Sequence, residues 1–534
     1  MLALTRRNLP EDNIHILVTS RSGITDIERN LKADGSLEVR SNENDVRLYL
    51  RESLRDTDYL SDWISANPEL ELSIIEAILP RLAGMFLLAR LYVDFLAQIP
   101  TQRGVRKALG SLPEGIEDTY ADAWERVCAQ KPVQADLGKK VISWVTCATR
   151  PLRVTELRHA LAIEEGDSEL DAEGLLDINS LTSFCAGLVV IDAQNNRLSL
   201  VHPTANEYFV ERQRDLLPTA HDLIATACTT YLLMNVFRGA CLEPDDFNRR
   251  YGQNKLLGYA AVNWGSHVRS SNSKTSLDLA RRLLQNDEAR GAAVQALVLN
   301  TLGASERFPE WPLLSSAETK RVSDFYRYDF EDSTRPIEAI HLTAFYGLTE
   351  LTDNLIETKH SIDERDGMGA TAVHWAILGG QSAMLDHLLQ RGANVQVHRQ
   401  PYHLRRWSTS CCNVGPNPDL TYPLHMAAAL GDTVAIELLI SHDADIHRLS
   451  EPLRDRAIWG STCITALTVA LQNNQDLAAE LLRARGANVN DDHWLFFYTA
   501  QHGSSDMLRT LIASGADRRK PGTGVQRGNP YVSL

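Results

Sequence analysis

The chain has 534 residues, 44% of them apolar and 23% charged, enough to bury several cores and to fill three or more domains of ordinary size. With 54 Lys and Arg against 69 Asp and Glu, the net charge of -15 opposes non-specific attraction to nucleic acid or an anionic membrane and points to protein partners. No apolar run is long enough to span a bilayer, and MLALTRRNLP is too short before Arg6 and Arg7 for a signal peptide, so the expected location is intracellular, in the cytoplasm or nucleus.

In chain order, IHILVTSR at 14–21 is an apolar run that reads as a fully buried parallel strand, the kind found in the middle of an α/β sheet. Residues 72–99 carry apolar positions at helical spacing and predict one or two buried helices interrupted near Pro80. VRKALGSLPEGIEDTYADAWERV then predicts a helix, a turn at Pro113 to Gly115, and another helix. Between 137 and 210, LGKKVISWVTCAT, RPLRVTELRHALAI and LLDINSLTSFCAG predict three helices, the second with Thr155 and Glu156 at its start. LVVID and RLSLVH flank an Asn-Asn turn and predict a β-hairpin, so this stretch reads as a winged helix. Winged helices often bind DNA, but residues 135–210 hold 6 Lys and Arg against 11 Asp and Glu, where a phosphate-reading face would be basic. A structural role is expected instead.

From 335 to 520 the sequence repeats itself. EAIHLTAFYG at 338, TAVHWAILGG at 371, YPLHMAAALG at 422, TALTVALQNN at 465 and a degenerate LFFYTAQHG at 495 share one frame. The positions equivalent to histidine are 341, 374, 425, 468 and 497, spaced by 33, 51, 43 and 29. Each is followed by a second apolar helix, and three of these end in Gly-Ala-Asn or Gly-Ala-Asp, at Gly392, Gly486 and Gly515, where glycine supplies a left-handed helix terminus. The pattern closely resembles the ankyrin repeat, including the DGMGAT turn at 366–371, whose Gly369 and Thr371 fall at the hairpin tip and at the helix start. The resemblance implies that His341, His374 and His425 hydrogen-bond across the turn and between repeats, and that the array binds protein. The stretch after the second repeat is an insertion, and insertions in such arrays map to loops on one face. It carries Arg399, Tyr402, Arg405, Arg406 and Trp407, residue types enriched in binding hot spots, as partner-binding candidates.

The eight cysteines are scattered without a C-x-x-C pair, as expected of reduced thiols. Cys411 and Cys412 stand near His398 and His403, but adjacent cysteines fit tetrahedral zinc poorly, so no metal is expected there.

The order of ILVTSR, the helical stretch Ile78 to Leu96, LPEGIEDTYADAWERV, SWVTCATRPLRVTELRHAL and LSLVHPTANEYF resembles the C-terminal part of the NACHT module of fungal NACHT-ankyrin proteins, of the STAND class of signal-transducing NTPases. LLGYAAVNWGSHVR at 256–269 is similar to the segment that joins winged helix and ankyrin array in that family. The resemblance implies a nucleotide held between the sheet and the winged helix, with Arg21 as a sensor arginine, Gly84 and Met85 at the adenine side and His202 near the phosphates. It also requires a G-x-x-x-x-G-K-[ST] loop, which the sequence lacks; GSLPEG at 110–115 runs on into Ile116. ILVTSR is therefore expected to be a late strand of a sheet whose phosphate-gripping half is missing, and ATP or ADP is expected as a cofactor only if such a half exists. No H-E-x-x-H, G-x-S-x-G or G-x-G-x-x-G signature occurs either, so no catalytic residue is assigned.

The expectation is a mainly α protein. It divides into a remnant of an α/β NACHT sheet (1–40), a helical domain (41–135), a winged helix (136–215), a helical connector (216–334), about five degenerate ankyrin repeats (335–520) and a flexible tail (521–534). Its expected role is a scaffold for protein partners, with no nucleic acid or membrane bound.

Overall fold

The computed structural model describes residues 43–301 apart from 83–85, 98, 111, 114 and 193, then 336–398 apart from 359 and 368, 422–450, 464–490 apart from 474, and 509, 511, 512 and 515. The apolar stretch at 14–21, Arg21, Gly84 and Met85 lie outside the described residues. The chain divides into two compact units between Gly115 and Ile116.

In the first unit, α1 (Glu43–Arg55), α2 (Asp58–Ala66), α3 (Pro68–Ile78), α4 (Phe86–Ala97) and α5 (Gln102–Leu109) surround an aliphatic core. Val46, Leu50 and Leu54 recur every four residues along α1 and form its buried face. Pro68 stands in the first turn of α3, where its missing N–H costs no bond. Pro80 cannot continue that helix and converts it to a 3₁₀ turn at Leu79–Arg81, as the sequence anticipates. Thr101 caps α5 by accepting the Gly104 amide at 3.1 Å.

The second unit opens with α6 (Ile116–Cys128), α7 (Pro132–Cys147), α8 (Val154–Leu161), α9 (Ile178–Ser183), β1 (Val189–Asp192), β2 (Arg197–Leu200), α10 (Pro203–Glu211) and α11 (Gln213–Leu216). The two strands pair antiparallel, with Val189 opposite Leu200 and Asp192 opposite Arg197. Asp192 closes the turn by accepting the Gln194 amide at 2.8 Å, and Asn196 takes the left-handed φ of 54° that asparagine tolerates. This is the expected three helices and hairpin. One pairing has no sequence signal: the Leu198 amide donates to Leu152 O and the Val154 amide to Asn196 O, both at 3.0 Å, so residues 152–154 run alongside β2.

α6 is bound to this winged helix by aromatic contacts. Tyr120 meets Tyr208 at 5.5 Å between ring centroids and Trp124 meets Phe209 at 5.7 Å, while Arg212 pairs with Glu117 at 2.6 Å. The break in the chain therefore precedes α6, ahead of the boundary at 135 that the sequence suggests.

Within the stretch 216–334, the described residues to 301 form α12 (Ala220–Leu232), α13 (Pro244–Gln253), α14 (Leu257–Ser270), α15 (Lys274–Gln285) and α16 (Asp287–Thr301). α14 is buried on nearly all sides, packing against α12 and α16. Beyond it, among the described residues, come four helix pairs: α17 (Ala339–Tyr346) with α18 (Thr349–Thr358), α19 (Ala372–Leu378) with α20 (Ser382–Gln390), α21 (Pro423–Leu430) with α22 (Thr433–Ser441), and α23 (Ala466–Gln472) with α24 (Asp476–Ala484); the first helix expected of the fifth repeat, at 495–503, lies outside the described residues. The first helices of the pairs stack in order from α17 to α23, and each packs on its own second helix, which makes a solenoid. No helix among the described residues is long and apolar enough to cross a membrane.

Candidate protein-interaction surface

Each repeat is set by a side chain at the third position of its first helix. In α17, His341 Nδ1 accepts the Glu338 amide at 3.1 Å, and its Nε2–H donates to Glu364 O at 3.0 Å in the hairpin of the next repeat. The carbonyl can only accept, so the proton is on Nε2. His374 Nδ1 accepts the Thr371 amide at 3.2 Å, and His425 Nε2–H donates to Ile464 O at 3.0 Å. Burial pushes the His425 imidazole down to about 4, which keeps it neutral and fit for this role. The fourth repeat substitutes Thr468, whose amide is accepted by Thr465 Oγ1 at 3.3 Å.

The hairpin before α19 turns at Gly369, with φ of 78°, as the DGMGAT pattern requires. Asp366 braces it, accepting the Ala370 amide at 2.8 Å through Oδ1 and the Trp375 indole N–H at 2.9 Å through Oδ2. Gly392, Gly486 and Gly515 take φ of 86°, 103° and 81° at the expected helix ends. The equivalent position of the third repeat is Asp443, at φ 64°, where no Gly-Ala pair stands; the signal is HDADI in the place where the second and fourth repeats have RGANV.

The partner-binding candidates Arg399, Tyr402, Arg405, Arg406 and Trp407 lie outside the described residues. The ends of their insertion are described: His398 and Tyr422 approach to 6.0 Å between ring centroids, so the chain leaves and returns at one place. A second insertion, 451–463, is rooted beside it. The Ser450 amide donates to Ile464 O at 2.9 Å and the Ile464 amide to Ser450 Oγ at 3.0 Å. Arg448 ties the two roots, donating to Tyr422 Oη at 2.9 Å with its guanidinium 5.0 Å above that ring. The spacing of 43 residues between positions 425 and 468 is the signal for this second insertion.

His202 is the cap of α10, its Nδ1 accepting the Thr204 amide at 3.2 Å. Thr204 Oγ1 in turn lies 2.8 Å from Tyr120 Oη, which fixes the cap to α6. α9, the third helix of the winged helix, has the sequence INSLTS and offers no cation to a phosphate backbone. Burial raises the Cys147 thiol to about 11 and Cys185 to about 12, so neither is a thiolate nucleophile. Among the described residues no group of three His, Cys, Asp or Glu side chains is placed to hold a metal ion.

Residues 368–399 and 419–451 match the family model of the ankyrin repeat. The chain carries ankyrin repeats. Residues 126–216 match the model described as GPI inositol-deacylase, winged helix domain. Among curated proteins, the chain is 40% identical over 62 residues to the ankyrin repeat domain-containing protein EMB506, chloroplastic, of Arabidopsis thaliana, covering 12% of this chain and 20% of that one. It is 26% identical over 223 residues to the transient receptor potential cation channel subfamily A member 1 of Homo sapiens, covering 40% of this chain and 17% of the channel. The chain thus spans about a fifth of the length of these relatives.

Proposed function

We propose that this ankyrin-repeat protein is an interaction scaffold that captures a protein partner on its array and has no catalysis of its own. The observation that carries this reading is the repeat architecture itself, in which His341, Asp366, Gly369 and Gly392 each hold a turn or a neighbouring repeat. The described roots of two insertions meet at Tyr422, and the insertion sequences include Arg405, Arg406 and Trp407 in the first and Arg454, Arg456 and Trp459 in the second. In a chain of net charge -15 this local excess of arginine suits a partner segment bearing carboxylates and an apolar anchor. The test is affinity capture with the full chain. Proteins retained by the wild type should be lost by a triple Arg405→Ala, Arg406→Ala, Trp407→Ala variant, and an unchanged set would contradict the assignment.

The winged-helix match favours a second reading, in which the chain works in a STAND-type NTPase switch of NACHT kind controlled by ATP or ADP. His202, at the start of α10, would then face phosphate, with Arg21, Gly84 and Met85 on the nucleotide as well. A DNA-binding role for the winged helix is the weakest reading, given its acidity and the neutral α9. Protein capture needs none of these contacts, and His202 already serves as a helix cap.

A further inference from the structure

Helix α14 is shared by two neighbours. Toward the winged helix, Tyr259 Oη accepts the Thr149 amide at 3.2 Å, Asn263 Oδ1 accepts Thr149 Oγ1–H at 2.7 Å, and the Tyr259 ring lies 5.2 Å from the Arg150 guanidinium and 5.7 Å from the Trp144 ring. Arg150 is itself fixed by Glu156, with bonds of 2.9 and 2.6 Å. Toward the first repeat, Ala261 O accepts Tyr346 Oη–H at 2.8 Å, Trp264 meets Tyr346 at 5.0 Å between centroids, and Arg269 donates to Tyr346 O at 3.2 Å. At Gly265 a Cβ would overlap the Tyr346 ring, so this side is in backbone contact. Along the helix the residues alternate between the two neighbours: 259 and 263 serve one, 261, 264, 265 and 269 the other.

A buried polar chain runs from Thr149 through Tyr259 and His267 of α14 to His221 of α12. Tyr259 Oη, which accepts the Thr149 amide, shares a hydrogen bond of 2.8 Å with His267 Nε2, and His267 Nδ1 shares one of 3.0 Å with His221 Nδ1. A displaced Tyr259 would lose its bonds to Thr149 and His267 together.

We infer that α14 is a rigid strut that makes the winged helix, the connector and the first ankyrin repeat open and close as one cooperative body, so that a load on the array reaches the winged helix. This holds whatever the array binds. The structure makes the connector the N-terminal cap of the repeat array: Tyr346, which an uncapped first repeat would expose, is fully buried against Trp264 and Gly265.

Hydrogen exchange followed by mass spectrometry on the full chain tests the inference. Gly265→Ala strikes only the array side, yet exchange should accelerate by the same factor in 339–346 and in 144–161. Acceleration confined to 339–346 overturns the strut. Should Gly265→Ala fail to fold, Tyr346→Phe removes one hydroxyl and Thr149→Val removes one bond from the opposite side. Each should speed exchange in both segments about threefold to tenfold, the effect of one hydrogen bond, since coupling between two sites is reciprocal. A change in one segment alone, or in neither, refutes it.

Discussion

Asp443 holds a left-handed backbone, φ 64°, where the second, fourth and fifth repeats use glycine, and an L side chain there is strained against its own carbonyl. Its carbonyl accepts the Gln396 side chain at 3.0 Å, a bond that any residue at this position retains. Asp443→Gly is therefore expected to stabilise the array by about 0.5–1 kcal/mol, read as a raised urea midpoint; a lowered midpoint would show that the carboxylate contributes more than the strain costs. The buried pair Arg150 and Glu156, with side chains 8% and 6% exposed, behaves oppositely. Glu156→Gln leaves the guanidinium uncompensated and should cost about 3–5 kcal/mol in the same titration. Two buried histidines set the acid limit. Burial lowers His267 from 6.5 to about 3 and His425 from 6.5 to about 4, so the folded chain binds fewer protons than the unfolded one over that range. The stability they confer is complete above pH 6.5 and is lost as pH falls toward 4, by about 1–2 kcal/mol per histidine between pH 7 and pH 5. A melting temperature equal at pH 7 and pH 5 would contradict this.

At the scale of elements, α6 is the instructive case. Its sequence, IEDTYADAWERVC, shows an amphipathic helix plainly, but an apolar stripe does not say which neighbour it will cover. Tyr120 and Trp124 choose the winged helix, so a fragment beginning at 116 should resist protease while one beginning at 136 exposes Tyr208 and Phe209 and is degraded. Equal survival of both fragments would disprove the assignment. Elements specified by short-range rules were legible: the hairpin from its Asn-Asn turn, the break at Pro80, the glycine ends of the repeat helices and the capping histidines. Those specified by long-range packing were not. The pairing of 152–154 with β2 depends on residues far apart in sequence, and α14, buried on nearly all sides, carries no periodicity that names its two neighbours. Of the candidate site residues, His202 was legible as a position of interest, but its capping bond to Thr204 depends on a rotamer that no pattern reveals.

For the whole molecule, the described parts of the winged helix, connector and repeats are helical, and many of their buried polar groups hold one element to the next. His341, His374, His425 and His267 are all bonded internally. The proposed binding scaffold and a nucleotide-operated switch part at one observable. The most direct measurement is the melting temperature of the full chain with and without saturating Mg-ATP or Mg-ADP. A ligand at 100 times its dissociation constant stabilises the native state by about 2.7 kcal/mol, enough to move the transition by several degrees. The scaffold account predicts coincident melting curves with and without either nucleotide; a rise of several degrees with ATP or ADP would contradict it.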